Sequence, residues 1–222
     1  MPTVTHHQRS NLLHALLLYV LRGFAVALCL TSSALLAANA APSTSKPDAA
    51  RELHKGTFLV ATQNLAGSSF QETVILITHY NKQGTTGIAI NRPSTVTMKE
   101  AYPEEKRFKD GKDELYLGGP VRPDTIFVLM KSSRPHEDMQ RITDDVYFSP
   151  GISAMIHSKD DSIKGEATRA YAGYIGWAPG QLEAEIHRGD WLVIQADMSI
   201  IFSTKSKSVW QTLHKAWSGT WL

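Results

Sequence analysis

Cysteine is nearly missing from this chain. Only Cys29 among 222 residues carries a thiol, and a single thiol can form neither an intrachain disulfide nor a thiolate metal centre. Leu28 precedes it where a lipoprotein signal wants a small residue, so lipidation is not expected. Acid is missing from the N-terminal part: no Asp or Glu occurs before Asp48, and Arg9 and Arg22 are the only Lys or Arg in residues 1–40. Removing those two arginines from the 23 basic residues leaves 21 against 21 Asp and Glu. A formal charge of zero gives no electrostatic basis for binding nucleic acid.

Catalytic motifs are missing too. Gly67-Ser68-Ser69-Phe70 lacks the Gly-x-Ser-x-Gly elbow, and the chain has neither a phosphate-binding Gly-rich loop nor a dinucleotide fingerprint. His54, His79, His136, His157 and His214 are scattered, without the close spacing of a metal-binding helix. Neither a metal nor a cofactor is expected. A triad assembled from distant residues leaves no such motif, so catalysis is unsupported rather than excluded.

What is present begins with a leader. Residues 1–40 read as an export signal: a basic front part ending at Arg22, an apolar core over 23–36, and Ala38 and Ala40 as an A-x-A cleavage site. This predicts a periplasmic or secreted protein that begins at Ala41. The alternative is an uncleaved inner-membrane anchor, since residues 12–21 are also apolar, but Arg22 would then sit mid-bilayer at a cost of about 2.5 kcal/mol or more. A misassigned start codon is a third reading, although no Met lies between Met1 and Met98. Residues 41–50, beginning with a stretch rich in Pro, Ser, Ala and Thr, are a flexible linker. Residues 51–222 are a single domain, in keeping with 42% hydrophobic and 20% charged residues.

Short strands dominate the pattern, at 57–61, 74–78, 115–117, 125–130, 146–148 and 167–173. Asn81-Lys82-Gln83-Gly84 is turn chemistry, and 87–91 returns as the second arm of a hairpin that Pro93 ends. Helical turns are predicted at 97–102, 151–158 and 181–187, with 106–113 a charged loop. Residues 191–195 and 199–202 read as a second hairpin. The chain closes on an amphipathic helix with Trp210, Leu213 and Trp217 on one face. The class is α+β with mainly antiparallel pairing.

Five ordered blocks carry a resemblance. Residues 55–61 (Lys55-Gly56 leading into Thr57), 73–77 and 87–93 resemble the opening blocks of the YqgE/AlgH family, and Gly118-Gly119-Pro120-Val121 and 173–186 its later ones. The likeness runs from about Leu53 to Leu222. It implies a branching sheet folded into a pseudo-barrel with a few short helices, and no established activity; some members are labelled transcriptional regulators through a link to alginate production. Two departures stand out. Family members usually begin near the Lys55-Gly56 block and look cytoplasmic, and Met130 follows Leu129 where the family more often has His, so any proton transfer there is lost.

The candidate sites each have a functional and a structural reading. Arg92, beside Asn91 at a strand end, offers a bidentate clamp for carboxylate or phosphate, or else pairs with a nearby acid while Asn91 caps the turn. Gly118 and Gly119 offer an anion-binding concavity, or positive φ at a strand reversal. In the stretch 173–183, read as one glycine-rich turn opening a helix, Trp177, Gln181 and Glu183 offer a platform for a peptide, sugar or small anion. Alternatively Trp177 plugs the sheet. On that helix Glu183 and His187 share a solvated face while Glu185 points elsewhere. The expectation is a non-catalytic exported domain binding an unknown protein or small ligand around Trp177, Gln181 and Arg92. A cytoplasmic regulator of gene expression and a hydrolase or transferase with an unrecognised site are the alternatives.

Overall fold

The computed structural model describes residues 53–134, 136, 139–158, 167–203 and 206–218. The expected leader, linker and domain start at Arg51 lie outside them. Strand β1, Thr57–Ala61, is buried at every position. It lies between β2, Val74–Asn81, and the late strand β10, Trp191–Gln195, antiparallel to both. β2 turns back through Asn81, whose Oδ1 accepts from the Gln83 amide at 2.8 Å, into β3, Gly84–Ala89. The return strand therefore begins at the turn itself, three residues earlier than expected.

Pro93 does not only end this hairpin; it opens β4, Pro93–Thr97, which pairs with β5, Glu114–Leu117, alone. An edge strand tolerates a residue that cannot donate. Thr97 then starts helix α1, Met98–Ala101: its hydroxyl accepts from the Glu100 amide while the Glu100 carboxylate accepts from the Thr97 amide. β6, Val121–Lys131, pairs with β8, Val146–Pro150, which carries the short β7, Gln140–Arg141, and helix α2 follows at Ser153–Ser158.

β9, Ala167–Trp177, organises the sheet. One edge pairs antiparallel with β6. The other pairs parallel with β5 over Ala170–Ala172 and then antiparallel with β3 over Ile175–Trp177. The sheet branches where β5 leaves and β3 takes over. Gly173–Trp177 is thus strand, not turn; only Ala178-Pro179-Gly180 turns the chain into helix α3, Gln181–His187. After β10 the residues expected as a second hairpin arm form helix α4, Ser199–Ser203, and β10 pairs with β1 instead. Helix α5, Ser206–Ser218, buries Trp210 and Leu213, and the Trp210 indole donates to the Ala61 carbonyl at 2.8 Å. Trp217, expected on the same packed face, is 49% exposed.

Alternation along the strands sends residues to two apolar clusters. Tyr116, Leu129, Tyr171, Ile175 and Trp177 join the larger with β1, β2 and β3. Leu115, Val128, Ala170 and Ala172 join the smaller with Met98, Phe108 and Met155. The clusters occupy opposite faces of the same strands.

Candidate functional site

The candidate residues separate into two groups at opposite ends of β3. Trp177 pairs with Thr85 at its start. Arg92 follows its end, seven positions on, at a distance on the order of 20 Å. Among the described residues no hydrogen bond or ring contact joins Trp177 or Gln181 directly to Arg92; Trp191 stands between them, sharing Glu185 with Trp177 and packing on Phe70.

At the Trp177 end the indole is 5% exposed, so of the two readings the geometry gives the plug. Its Nε1 donates to Glu185 Oε2 at 2.9 Å, and the Trp191 Nε1 donates to the same oxygen at 2.9 Å. Gln181 lies at the surface, its amide donating to Glu185 Oε1 at 3.0 Å and its carbonyl accepting from the Ala178 amide at 3.1 Å. Glu183 accepts from the Tyr80 hydroxyl at 2.9 Å. Burial, then the hydrogen bond to and charge of Glu183, push the Tyr80 hydroxyl above its ordinary pKa. Glu185, which the sequence places away from the face of Glu183 and His187, is the hub of a cluster not foreseen from the sequence. The signal available in the sequence was a tryptophan flanking the short helix on each side.

Gly118, Gly119 and Gly173 meet at the branch of the sheet. A Cβ on Gly118 would collide with the Gly173 carbonyl, one on Gly119 with the Tyr174 carbonyl, and one on Gly173 with the Gly119 carbonyl. Gly173 also holds φ at +70°. Gly118 and Gly119 both direct their amides at the Ala172 carbonyl, at 2.7 and 3.3 Å. These amides are spent on chain crossing and offer no concavity for an anion.

Asn91 and Arg92 together hold the loop that joins β1 to β2. Asn91 is buried, its Oδ1 accepting from the Val74 amide at 2.9 Å and its Nδ2 donating to the Glu72 carbonyl at 2.8 Å. Arg92 Nη2 donates to the carbonyls of Ser69 at 3.0 Å and Gln71 at 2.6 Å, and to the Thr73 hydroxyl. The expected ion pair is absent: no Asp or Glu among the described residues lies within salt-bridge distance of Arg92. Burial pushes its guanidinium below the ordinary arginine pKa, with the more distant Glu72 charge opposing. Nε and Nη1 have no hydrogen-bond partner among the described residues. Beside it Phe70 packs on Leu117 and edge-on against Trp191, with ring centroids 5.9 Å apart. Among the described residues no three of His, Cys, Asp and Glu come together as a metal site, and no helix is long and apolar enough to cross a membrane.

Fold and site together define an α+β domain on a curled, branching, mainly antiparallel sheet, with glycines at the branch and the half-used Arg92 guanidinium beside it. A family model described as AlgH-like matches residues 58–221. The chain belongs to the AlgH-like family, which is uncharacterised. Similar proteins include UPF0301 proteins of Marinomonas sp., 35% identical with 68% of this chain and 82% of that protein covered, and of Magnetococcus marinus, 33% identical with 70% and 84% covered. Among solved structures, the AlgH protein of Pseudomonas aeruginosa is 27% identical, with TM-score 0.63 over 81% of this chain and 94% of that one. A protein of Corynebacterium diphtheriae is 26% identical, with TM-score 0.61 over 72% and 85%.

Proposed function

We propose that this chain is a non-catalytic, exported domain that binds a protein partner or small ligand through an oxyanion held by Arg92. The observation that carries this reading is the half-used guanidinium: a partly buried cation, engaged through Nη2 only, with no carboxylate of the described residues beside it. Its desolvation is compensated by hydrogen bonds to neutral acceptors and only from a distance by the Glu72 charge, which favours an added negative charge. The other candidate groups are occupied within the fold: Trp177 and Gln181 by Glu185, Glu183 by Tyr80, and the glycine amides by Ala172. The ligand class that suits Arg92 is a carboxylate or phosphate. Titrating the chain with acetate and with inorganic phosphate, while following the Arg92 Nε–H signal by NMR, tests it. A saturable shift of that signal is expected, with a matching shift of the neighbouring Leu117 amide that is lost in Arg92→Gln; an Arg92 signal that moves no more than those of exposed arginines rejects the site.

Export rests on the leader pattern of residues 1–40. Fusing residues 1–50 to a reporter active only outside the cytoplasm should give activity. A silent but expressed fusion would remove this part of the proposal.

A further inference from the structure

The Arg92 guanidinium that is open to a ligand is also the fastening of the loop beside it, and the two roles share one nitrogen. A guanidinium accepts a carboxylate with two parallel bonds along either of two edges, Nε with Nη2 or Nη1 with Nη2. Nη2 belongs to both edges. It carries two protons, yet it faces three acceptors on the loop, the Ser69 and Gln71 carbonyls and the Thr73 hydroxyl. The protons are already over-subscribed, so an oxyanion docking bidentately takes one of them from the loop.

The loop is held in a conformation that depends on such fastenings. Glu72 adopts φ +54°, a left-handed conformation unfavourable for a side chain with a Cβ, and its carbonyl is held by Asn91 Nδ2. Within the loop the Gly67 amide donates to the Gln71 side chain, the Gln71 amide to the Ser68 carbonyl, and the Thr73 amide to the Phe70 carbonyl. Phe70 sits in the middle of these bonds, covering Leu117 and the edge of Trp191.

We infer that oxyanion binding at Arg92 and closure of the 67–73 loop compete for Nη2, so that a bound carboxylate or phosphate loosens the loop and unseats Phe70 from Leu117 and Trp191. This regulation rests on the oxyanion reading of Arg92 given above. Because coupling is reciprocal, anything that weakens the loop's hold on Nη2 raises the affinity for the anion.

Amide hydrogen exchange on the whole chain, with and without saturating acetate, reads the coupling directly. The amides of Gly67, Gln71 and Thr73 should exchange several-fold faster with acetate, while those of β1 stay unchanged. Thr73→Val removes one of the three acceptors with little change of shape, and should bind acetate on the order of two- to tenfold more tightly. If the Arg92 signal responds to acetate but loop exchange is unchanged or slower, the coupling is wrong and the oxyanion site stands. Equal or weaker acetate binding by folded Thr73→Val also overturns the coupling. An Arg92 signal that does not respond overturns both.

Discussion

At the scale of single side chains, a carboxylate that accepts from two buried indoles is difficult to replace. Trp177 and Trp191 are 5% and 4% exposed, so water cannot readily take the place of Glu185 Oε2 at either Nε1. Each buried donor left unpaired costs about 1–3 kcal/mol. Glu185→Ala is therefore expected to lower stability by about 2–4 kcal/mol in urea denaturation. Glu185→Gln keeps a carbonyl oxygen for the indoles but turns an amide toward Gln181, which is already a donor there, and should fall between the two. An alanine variant as stable as the parent would show that the two indoles do not depend on this carboxylate. Arg92 is the opposite case. Its neighbours are neutral acceptors that occupy only one of its nitrogens, which is why it remains the group with chemistry to spare.

Among the elements, those set by local pattern were legible in the sequence. The run Val74-Ile75-Leu76-Ile77-Thr78, rich in β-branched residues, lies in β2, and the helix expected at 181–187 has those bounds. Non-local demands were not legible. The glycines of the 173–183 stretch suggested a turn because glycine is the usual turn residue. Gly173 is needed instead because the Gly119 backbone, far away in sequence, passes against it at the branch of the sheet. Ser199-Ile200-Ile201-Phe202 was read as a strand, since a short apolar run fits either a strand or a buried helix. The deciding feature was Asp197, whose carboxylate accepts from the Ser199 amide at 2.9 Å and caps the helical turn. The Ser199 side chain, and after it that amide, hold Asp197 below the ordinary carboxylate pKa. The family blocks gave the architecture, and the similar solved structures agree with it. They gave no distances, so the separation of Arg92 from Trp177 along β3 could not be seen before the register was known.

For the molecule as a whole, the arrangement of its two larger apolar clusters bears on how it unfolds. One contains β1, β2 and β3 and the tryptophans Trp177, Trp191 and Trp210; the other contains Met98, Phe108 and Met155. They could be taken for two separately stable units. But Tyr171 belongs to one and its neighbours Ala170 and Ala172 to the other, and Leu129 and Val128 divide in the same way. β6 and β9 cannot leave one cluster without stripping the other, so the two should melt together. Tryptophan fluorescence reports the larger cluster, while the methyl NMR signals of Met98 and Met155 report the smaller. Both should show one urea transition with a common midpoint. Met98→Ala, by leaving a cavity in the smaller cluster, should cost about 2–5 kcal/mol and lower both midpoints equally. A shift confined to the methionine signals, with the tryptophan transition left in place, would mean that the shared strands do not couple the two faces.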